Sequence, residues 1–278
     1  MQVATGTCTN SESAESDGVT AFIIMCTNPV MAFPSLTPSW CSPPANLTLA
    51  RDELHIWRAQ VDQRNALLLK FSNTETCDET ERAKQFQVEQ ARARFLICRV
   101  ILKNILRRYS NLEAGCLRFE YGRYGKPYLS NTDLRFNSSH SNNLALYAIG
   151  LGQEIGIDTE YIRPVLDRDQ IVDRYFTAKE KIMYGRLTPD AKGPAFFNGW
   201  TRKEAYLKAT GVGLNQPLRT VEVSLEPGKP ARLLRINGNS REAAAWSLYE
   251  LSLGTDYAGT VAVKGCYRLR LWRWEQQG

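Results

Sequence analysis

The chain has 278 residues, 43% of them hydrophobic, with a formal net charge of +6 and a pI near 8.9. This length is enough to bury a core and form one or two domains, and the mild basic excess suits an anionic cofactor, an acidic protein or nucleic acid alike. The two histidines argue against a multi-histidine zinc site, and the seven cysteines, which form no Cys-x-x-Cys pair, argue against zinc ribbons and redox pairs.

The first 45 residues differ in composition from the rest of the chain. The first 20 are rich in Ser, Thr, Gly and acidic residues, and five prolines follow between positions 29 and 44. We therefore predict a flexible leader over 1–45. Its apolar run at 21–26 is too short to cross a membrane and follows an acidic stretch, which argues against a signal peptide. Since the number of cysteines is also odd, we expect a cytoplasmic protein with reduced thiols.

The first predicted half of the folded part covers residues 46–152. Apolar residues alternate along 53–59, which predicts a strand, and an apolar stripe with helical spacing predicts one long helix over 79–109. Further strands are expected near 116–121, 133–137 and 144–149.

The second predicted half covers residues 153–278. It begins with a strand over 155–161 and contains a helix over about 195–210. Other helices are expected near 167–175 and 178–184, and strands near 219–225, 232–236, 243–251 and 257–264. Because helices and strands mix without strict βαβ alternation, we predict the α+β class.

The segment Gly156-Ile-Asp158-Thr-Glu160 places two carboxylates on one side of the predicted strand. Side chains alternate along a strand, so Asp158 and Glu160 share a face. Paired oxygen ligands suit Mg²⁺, which takes one or two carboxylates together with substrate phosphates and water. The alternative is a polar strand face in contact with solvent.

The segment Trp200-Thr-Arg-Lys-Glu204-Ala-Tyr-Leu-Lys208 carries the next two candidates. Glu204 falls on the apolar stripe of its helix, and Lys208 lies one turn further on. A carboxylate among core residues must be paired or bind a cation, because an isolated buried charge is costly. The alternative is an internal Glu204–Lys208 ion pair. The intervening residues 201–203 are expected to be solvated.

A third group precedes both of these segments. Gly125 permits a sharp turn that presents Lys126 on a loop, where it could meet an anion. Ser139 and His140 lie in the run Phe-Asn-Ser-Ser-His-Ser over 136–141, and such donors suit phosphate oxygens. The alternative is a Ser/Asn-rich turn that carries a surface histidine.

Taken in order, these four segments resemble the motifs of the Sfp-type 4′-phosphopantetheinyl transferases. The resemblance runs roughly over 47–262 and is densest at 122–214. It implies two similar α+β halves related by pseudo-twofold symmetry, with the active site at their interface. It also implies transfer of the 4′-phosphopantetheine group of coenzyme A to a serine of apo acyl or peptidyl carrier proteins, with release of 3′,5′-ADP.

The resemblance also implies roles for particular residues. Asp158, Glu160 and Glu204 correspond to the Mg²⁺ ligands, and Lys208 corresponds to the lysine at the pyrophosphate. Contacts to coenzyme A are implied at Ser139, His140, Lys126 and Arg94, with Arg82 and Lys84 as weaker candidates. We expect Glu204 to accept the serine proton, a role that competes with metal binding because a ligating carboxylate is a weaker base. The family usually works as a monomer.

A different class of function remains open from the sequence alone. The basic residues of the long helix, together with the alternating basic and apolar C-terminal run at 267–274, could instead bind nucleic acid. We expect the C-terminal run to be an edge strand that its charges protect from further pairing. A relative that keeps the fold without turnover is a third possibility, against which the four intact site residues argue.

Overall fold

The computed structural model describes residues 39–62, 77–110 and 117–275. Residues 1–38 of the predicted leader lie outside these ranges. Helices and strands follow one another without strict alternation, which confirms the α+β class. The strands are β1 (Glu53–Gln60), β2 (Glu120–Tyr121), β3 (Pro127–Tyr128), β4 (Leu134–Ser141), β5 (Leu144–Leu151), β6 (Ile155–Tyr161), β7 (Val221–Val223), β8 (Leu233–Ile236), β9 (Trp246–Glu250), β10 (Tyr257–Lys264) and β11 (Arg268–Arg273). The α-helices are α1 (Cys77–Lys84), α2 (Glu89–Arg107), α3 (Arg168–Tyr175), α4 (Ala178–Gly185), α5 (Pro189–Thr210) and α6 (Ser240–Ala243).

The first large sheet has the strand order β11-β1-β5-β4. The strand β11 runs parallel to β1, and the other neighbours are antiparallel. Helix α2 buries its apolar side against one face through residues such as Ile101 and Ile105. The C-terminal run is therefore an edge strand, as predicted, and it joins the sheet of the first half.

The second large sheet has the order β6-β10-β9, all antiparallel. Helix α5 packs across β6 and β10, and a cluster around Phe176, Phe196 and Leu207 forms its core. The strand β6 is the outer strand of this sheet and lies beside β4, the outer strand of the other one. The two large sheets therefore meet edge to edge at β4 and β6.

The end of the predicted leader is part of the fold. Trp40 is buried, and its Nε1 donates to the Ser252 carbonyl at 2.7 Å. The backbone of Cys41 bonds to Leu271 and Arg273 of β11. Trp40 and Cys41 therefore contact the folded part of the chain, although the prediction placed them in the leader.

Two helices differ from their predicted bounds. The helix expected over 79–109 is divided into α1 and α2 by residues 85–88, where no glycine or proline marks the break. Helix α5 begins at Pro189, six residues before its predicted start near 195, with Thr188 as its N-cap residue. Pro189 at the first position is a start signal, and the internal Pro194 had obscured it.

The predictions on reduced thiols and on membrane-spanning segments can also be compared with the structure. Cys41 and Cys98 are free thiols, whereas Cys266 is disulfide-bonded, so the expectation of reduced thiols is wrong at Cys266. Within the part of the chain that the structure describes, every helix is too short or too polar to span a membrane.

The expectation that residues 201–203 are solvated is wrong. Arg202 and Lys203 are 0% exposed, because α5 is covered by its sheet on one side and by α4 and β7 on another. The Lys203 ammonium lies 2.8 Å from a Glu180 oxygen, and the Arg202 guanidinium donates to Glu250 at 2.6 Å. Each buried charge is therefore paired, as burial of a charge requires.

Gly156 allows α5 to approach β6 closely. A Cβ atom on Gly156 would lie 2.0 Å from the Ala205 carbonyl oxygen and 2.3 Å from the Ala209 amide nitrogen. Both are backbone atoms of α5, so no side-chain rotation could relieve the contact. The missing side chain therefore sets the distance between the strand and the helix that carry the candidate site residues.

We predict that Gly156→Ala destabilises the protein, because the helix must move outward to admit the methyl group. The free energy of unfolding in urea should fall by about 1–3 kcal/mol or more. Gly185→Ala is the matched control, since nothing lies within 4 Å of its Cβ position. Equal midpoints for the two variants would contradict the close-packing argument.

We also predict that Lys203→Met costs about 3–5 kcal/mol, because it leaves the Glu180 carboxylate buried without its cation. Lys181→Met removes an ion pair of similar length, 2.6 Å to Asp173, on the exposed side of α4. That control should cost at most about 1 kcal/mol. Urea unfolding monitored by tryptophan fluorescence measures both variants, and similar losses would show that burial does not decide the cost.

Candidate active site

Side chains of β4 satisfy the outer edge of β6. The Asn137 Oδ1 accepts a hydrogen bond from the Ile157 amide at 2.8 Å. The Ser139 Oγ accepts from the Thr159 amide at 3.3 Å, and the Ser141 Oγ accepts from the Tyr161 amide at 3.0 Å. A buried amide without a partner is costly, so these contacts hold the two sheets together. Ser139 and His140 accordingly lie on a strand and not in the turn considered as an alternative.

Lys126 hydrogen-bonds to the same edge of β6 at Ile155, and it is not among the residues that line the cavity described below. Its Nζ donates to the Ile155 and Ala209 carbonyl oxygens, both at 2.8 Å. Burial lowers the pKa of Lys126 to about 8. The carbonyls at the end of a helix attract a cation, which explains why the ammonium turns toward α5. The Lys126 ammonium is therefore bonded to backbone carbonyls, and its contact with phosphate stays a prediction.

The remaining polar candidates come together around one cavity of about 460 Å³ between the two sheets. They come from three elements, namely β4, β6 and α5, which meet where the first half contacts the second. The polar lining includes Ser139, His140, Asp158, Glu160, Glu204 and Lys208. The three acids and the lysine therefore converge on one space, as their spacing in the sequence predicted.

Lys208 pairs with Asp158. Its Nζ lies 2.6 Å from Asp158 Oδ1 and 2.9 Å from the Ser139 Oγ. The Ser139 hydroxyl in turn donates to the same Asp158 oxygen at 3.0 Å. The charge of Lys208 is thus directed into the pocket toward β6, so a simple pair with Glu204 along the helix does not account for its position.

The acids repel one another. Burial, followed by the negative charge of Asp158, raises the pKa of Glu204, and the same two causes raise the pKa of Glu160. The fold therefore holds like charges close together in partly buried positions. Such an arrangement suits a site at which a cation or a proton is bound.

The donor set fits a divalent cation. Within the described ranges, no three His, Cys, Asp or Glu side chains already form a metal-binding cluster. The Asp158 carboxylate is nevertheless 4% exposed, and its Oδ2 has no hydrogen-bond partner. A buried carboxylate oxygen without a partner, beside two mutually repelling glutamates, is the chemistry that Mg²⁺ prefers.

His140 lines the pocket from β4, and Arg94 lies near enough for its charge to act on the imidazole. Desolvation lowers the pKa of His140, and the positive charges of Arg94 and Lys208 lower it further. The weaker candidates point elsewhere, since Arg82 lies over the Tyr121 ring and Lys84 pairs with Glu81 on the surface. Arg94 is therefore the candidate of the three that lies near His140.

Sequence reasoning missed several lining residues, including Phe95, Arg99 and Trp200. Arg99 packs on the Phe119 ring with its Nε 3.6 Å from Glu79, and Lys103 is buried 2.5 Å from the same carboxylate. Their spacing along the predicted helix was the available signal, since both lie on one side of it. These inward-facing cations weaken the nucleic-acid alternative, which needed them on the surface.

A model of the 4′-phosphopantetheinyl transferase superfamily matches residues 154–262. The chain is 41% identical over 234 residues to the 4′-phosphopantetheinyl transferase HetI of Nostoc sp., an alignment that covers 83% of this chain and 95% of that protein. It is 31% identical to a putative 4′-phosphopantetheinyl transferase of Synechocystis sp., over 60% and 68% of the two chains. It is 28% identical to the 4′-phosphopantetheinyl transferase Sfp of Bacillus subtilis, over 62% and 75%.

We predict that Glu204→Gln raises the Tm of the metal-free protein at pH 7. A carboxyl group whose pKa is raised by folding stabilises the fold when protonated and loses that contribution as the pH rises through its folded-state pKa. Glutamine mimics the protonated form, so the gain should be present at pH 7 and absent below the ordinary value of 4.5. Each kcal/mol gained corresponds to about 2–4 °C for a protein of roughly this size.

Scanning calorimetry with a chelator at pH 7 and pH 4 measures this effect. Glu81→Gln, which removes an exposed carboxylate paired with Lys84, is the control and should not raise the Tm. A Glu204→Gln protein that melts at or below the wild-type temperature at pH 7 would show that the acids do not repel as described.

Proposed function

The chain belongs to the 4′-phosphopantetheinyl transferase superfamily, and we propose that it transfers the 4′-phosphopantetheine group of coenzyme A to a serine of acyl or peptidyl carrier proteins. The observation that supports this most strongly is the convergence of Asp158, Glu160, Glu204 and Lys208 on one cavity. The names of HetI and Sfp describe the same transferase activity, and the matched segment 154–262 contains all four residues. The other product is 3′,5′-ADP.

We propose that Asp158, Glu160 and Glu204 hold a divalent cation, Mg²⁺ in the cell. When bound, this ion neutralises charge on the pyrophosphate of the donor. The orphaned Asp158 Oδ2 and the raised pKa values of both glutamates support this assignment. Ion binding would remove the repulsion among the acids.

Lys208 is proposed to contact the donor pyrophosphate. Its ammonium already lies in the pocket beside Asp158 and Ser139, so a phosphate oxygen could replace part of that contact. A fixed positive charge at the departing phosphate stabilises the negative charge that develops there during transfer. His140, which lines the pocket, and the neighbouring Arg94 are proposed to bind the 3′-phosphate of coenzyme A.

The chemical step then follows from positioning and charge. The serine oxygen of the carrier forms a bond to the phosphorus of the pantetheine arm, and the phosphoanhydride bond to 3′,5′-ADP breaks. Glu204 is proposed to accept the serine proton on a carboxylate oxygen. Its raised pKa makes it a better proton acceptor than an ordinary glutamate, while metal binding opposes that effect. Little else is needed from the protein, because phosphoryl transfer depends mainly on orientation.

We also propose that residues 46–152 and 153–278 are two halves related by pseudo-twofold symmetry, with the active site between them. The order of elements supports this. In the first half, β1, helix α2, the hairpin β2–β3, β4 and β5 follow one another, with the sheet order β1-β5-β4. In the second half, β6, helix α5, the hairpin β7–β8, β9 and β10 follow, with the equivalent order β6-β10-β9. The strand β11 then returns to the first sheet.

The direct test is incubation of the protein with coenzyme A, Mg²⁺ and apo carrier proteins from fatty-acid, polyketide and nonribosomal pathways, read by intact mass. We expect one carrier or several to gain the phosphopantetheine arm. Asp158→Asn and Glu204→Gln should each reduce the rate by about 10²–10³ or more, because each removes a charge that acts on the transition state.

Asp256→Asn is the matched control for this assay. It neutralises an exposed carboxylate next to β10, outside the cavity, and should transfer at the wild-type rate. Circular dichroism establishes that all variants are folded. Transfer at the wild-type rate by Glu204→Gln would remove Glu204 from the mechanism, and lack of transfer to any carrier by the wild type would oppose the proposed activity.

A further inference from the structure

The three polar side chains of β4 that bond to β6 differ in one respect. Asn137, Ser139 and Ser141 are two residues apart and accept from three amides of β6 that are also two residues apart. Only the two serines also reach a carboxylate: Ser139 donates to Asp158, and Ser141 donates to Glu160, both at 3.0 Å. The amide side chain of Asn137 makes the strand contact alone.

Ser139 has no hydrogen-bonding capacity left. A serine hydroxyl offers one donor and two acceptor positions. The Ser139 oxygen accepts hydrogen bonds from the Thr159 amide and the Lys208 ammonium, and its hydroxyl donates one to Asp158 Oδ1. The oxygen is also buried, at 8% exposure for the residue. The Ser139 hydroxyl is therefore held by three protein groups, and it directs its hydrogen at the Asp158 carboxylate.

Ser141 is arranged in the same way around Glu160. Its Oγ accepts from the Tyr161 amide at 3.0 Å and donates to Glu160 Oε2 at 3.0 Å. The hydroxyl is fixed by the strand on one side, so the direction of its proton determines which way the carboxylate turns. This links the register of β4 against β6 to the orientation of both acids.

We propose that Ser139 and Ser141 are positioning residues that orient the Asp158 and Glu160 carboxylates for a divalent cation. This inference rests on the proposed function, because it assumes that the acids bind the ion. Groups that hydrogen-bond to metal ligands set the orientation of those ligands, and their loss typically weakens metal binding by about 10–100-fold.

The test compares Ser141→Ala with Asn137→Ala. Both variants remove one side-chain bond to the outer edge of β6, and both should unfold at lower urea concentration than the wild type. Only Ser141→Ala also frees a carboxylate. Binding of Mn²⁺, measured by electron paramagnetic resonance of the free ion, should weaken by about 10-fold or more in Ser141→Ala and stay near the wild-type affinity in Asn137→Ala.

Kinetics provide a second measurement on the same proteins. The transfer rate of Ser141→Ala should recover at high Mg²⁺. The KM for coenzyme A should be unchanged, since Ser141 is not among the residues that line the cavity. Ser141→Thr keeps a hydroxyl and should restore Mn²⁺ binding. Equal Mn²⁺ affinities in Ser141→Ala and Asn137→Ala, with normal binding by the wild type, would overturn this inference alone. Absence of Mn²⁺ binding by the wild type would overturn the proposed metal site together with it.

Discussion

The arrangement of this protein depends on the outer edge of β6. Its backbone groups at 155, 157, 159 and 161 do not pair with the backbone of another strand on this side, and in a buried position they must still form hydrogen bonds. Lys126, Asn137, Ser139 and Ser141 supply these bonds from the first half of the chain. The alternate residues of the same strand carry the acids. The contact that joins the two sheets is therefore also the contact that brings Asp158 and Glu160 into the cavity.

Helix α5 completes the site from the other side, and two features hold it in place. The absence of a side chain at Gly156 lets the helix backbone lie against β6. In addition, the buried charges of Arg202 and Lys203 pair with Glu250 and Glu180, which anchors the helix to β9 of the same sheet and to α4. Glu204 and Lys208 lie on the same helix and are positioned by both features. A cluster of like charges can persist there because so much surrounding structure fixes it.

The chain belongs to the transferase superfamily, and the transfer reaction explains why charged side chains are held together in one cavity. Moving a phosphopantetheine arm requires charge neutralisation and alignment more than bond-forming groups on the protein. The cavity is lined by three acids, which we propose hold a cation, by a lysine, which we propose contacts the departing phosphate, and by a histidine that lies near Arg94. Two of the residues that were expected to contact coenzyme A also make contacts within the protein. Lys126 supports the joint between the sheets, and the hydroxyl of Ser139 is occupied by neighbouring protein groups.

Local pattern in the sequence was enough to predict the α+β class, the strand at 155–161 and the four residues that converge on the cavity. Alternation along a strand and the helical repeat determine which side chains share a face, and both are properties of the chain itself. Only the tertiary structure could decide where each face is buried. It turned Arg202 and Lys203 inward, broke the long helix at 85–88, directed Lys126 to a helix end and brought β11 back to the first sheet. These outcomes depend on contacts between residues far apart in the sequence, which no local pattern records.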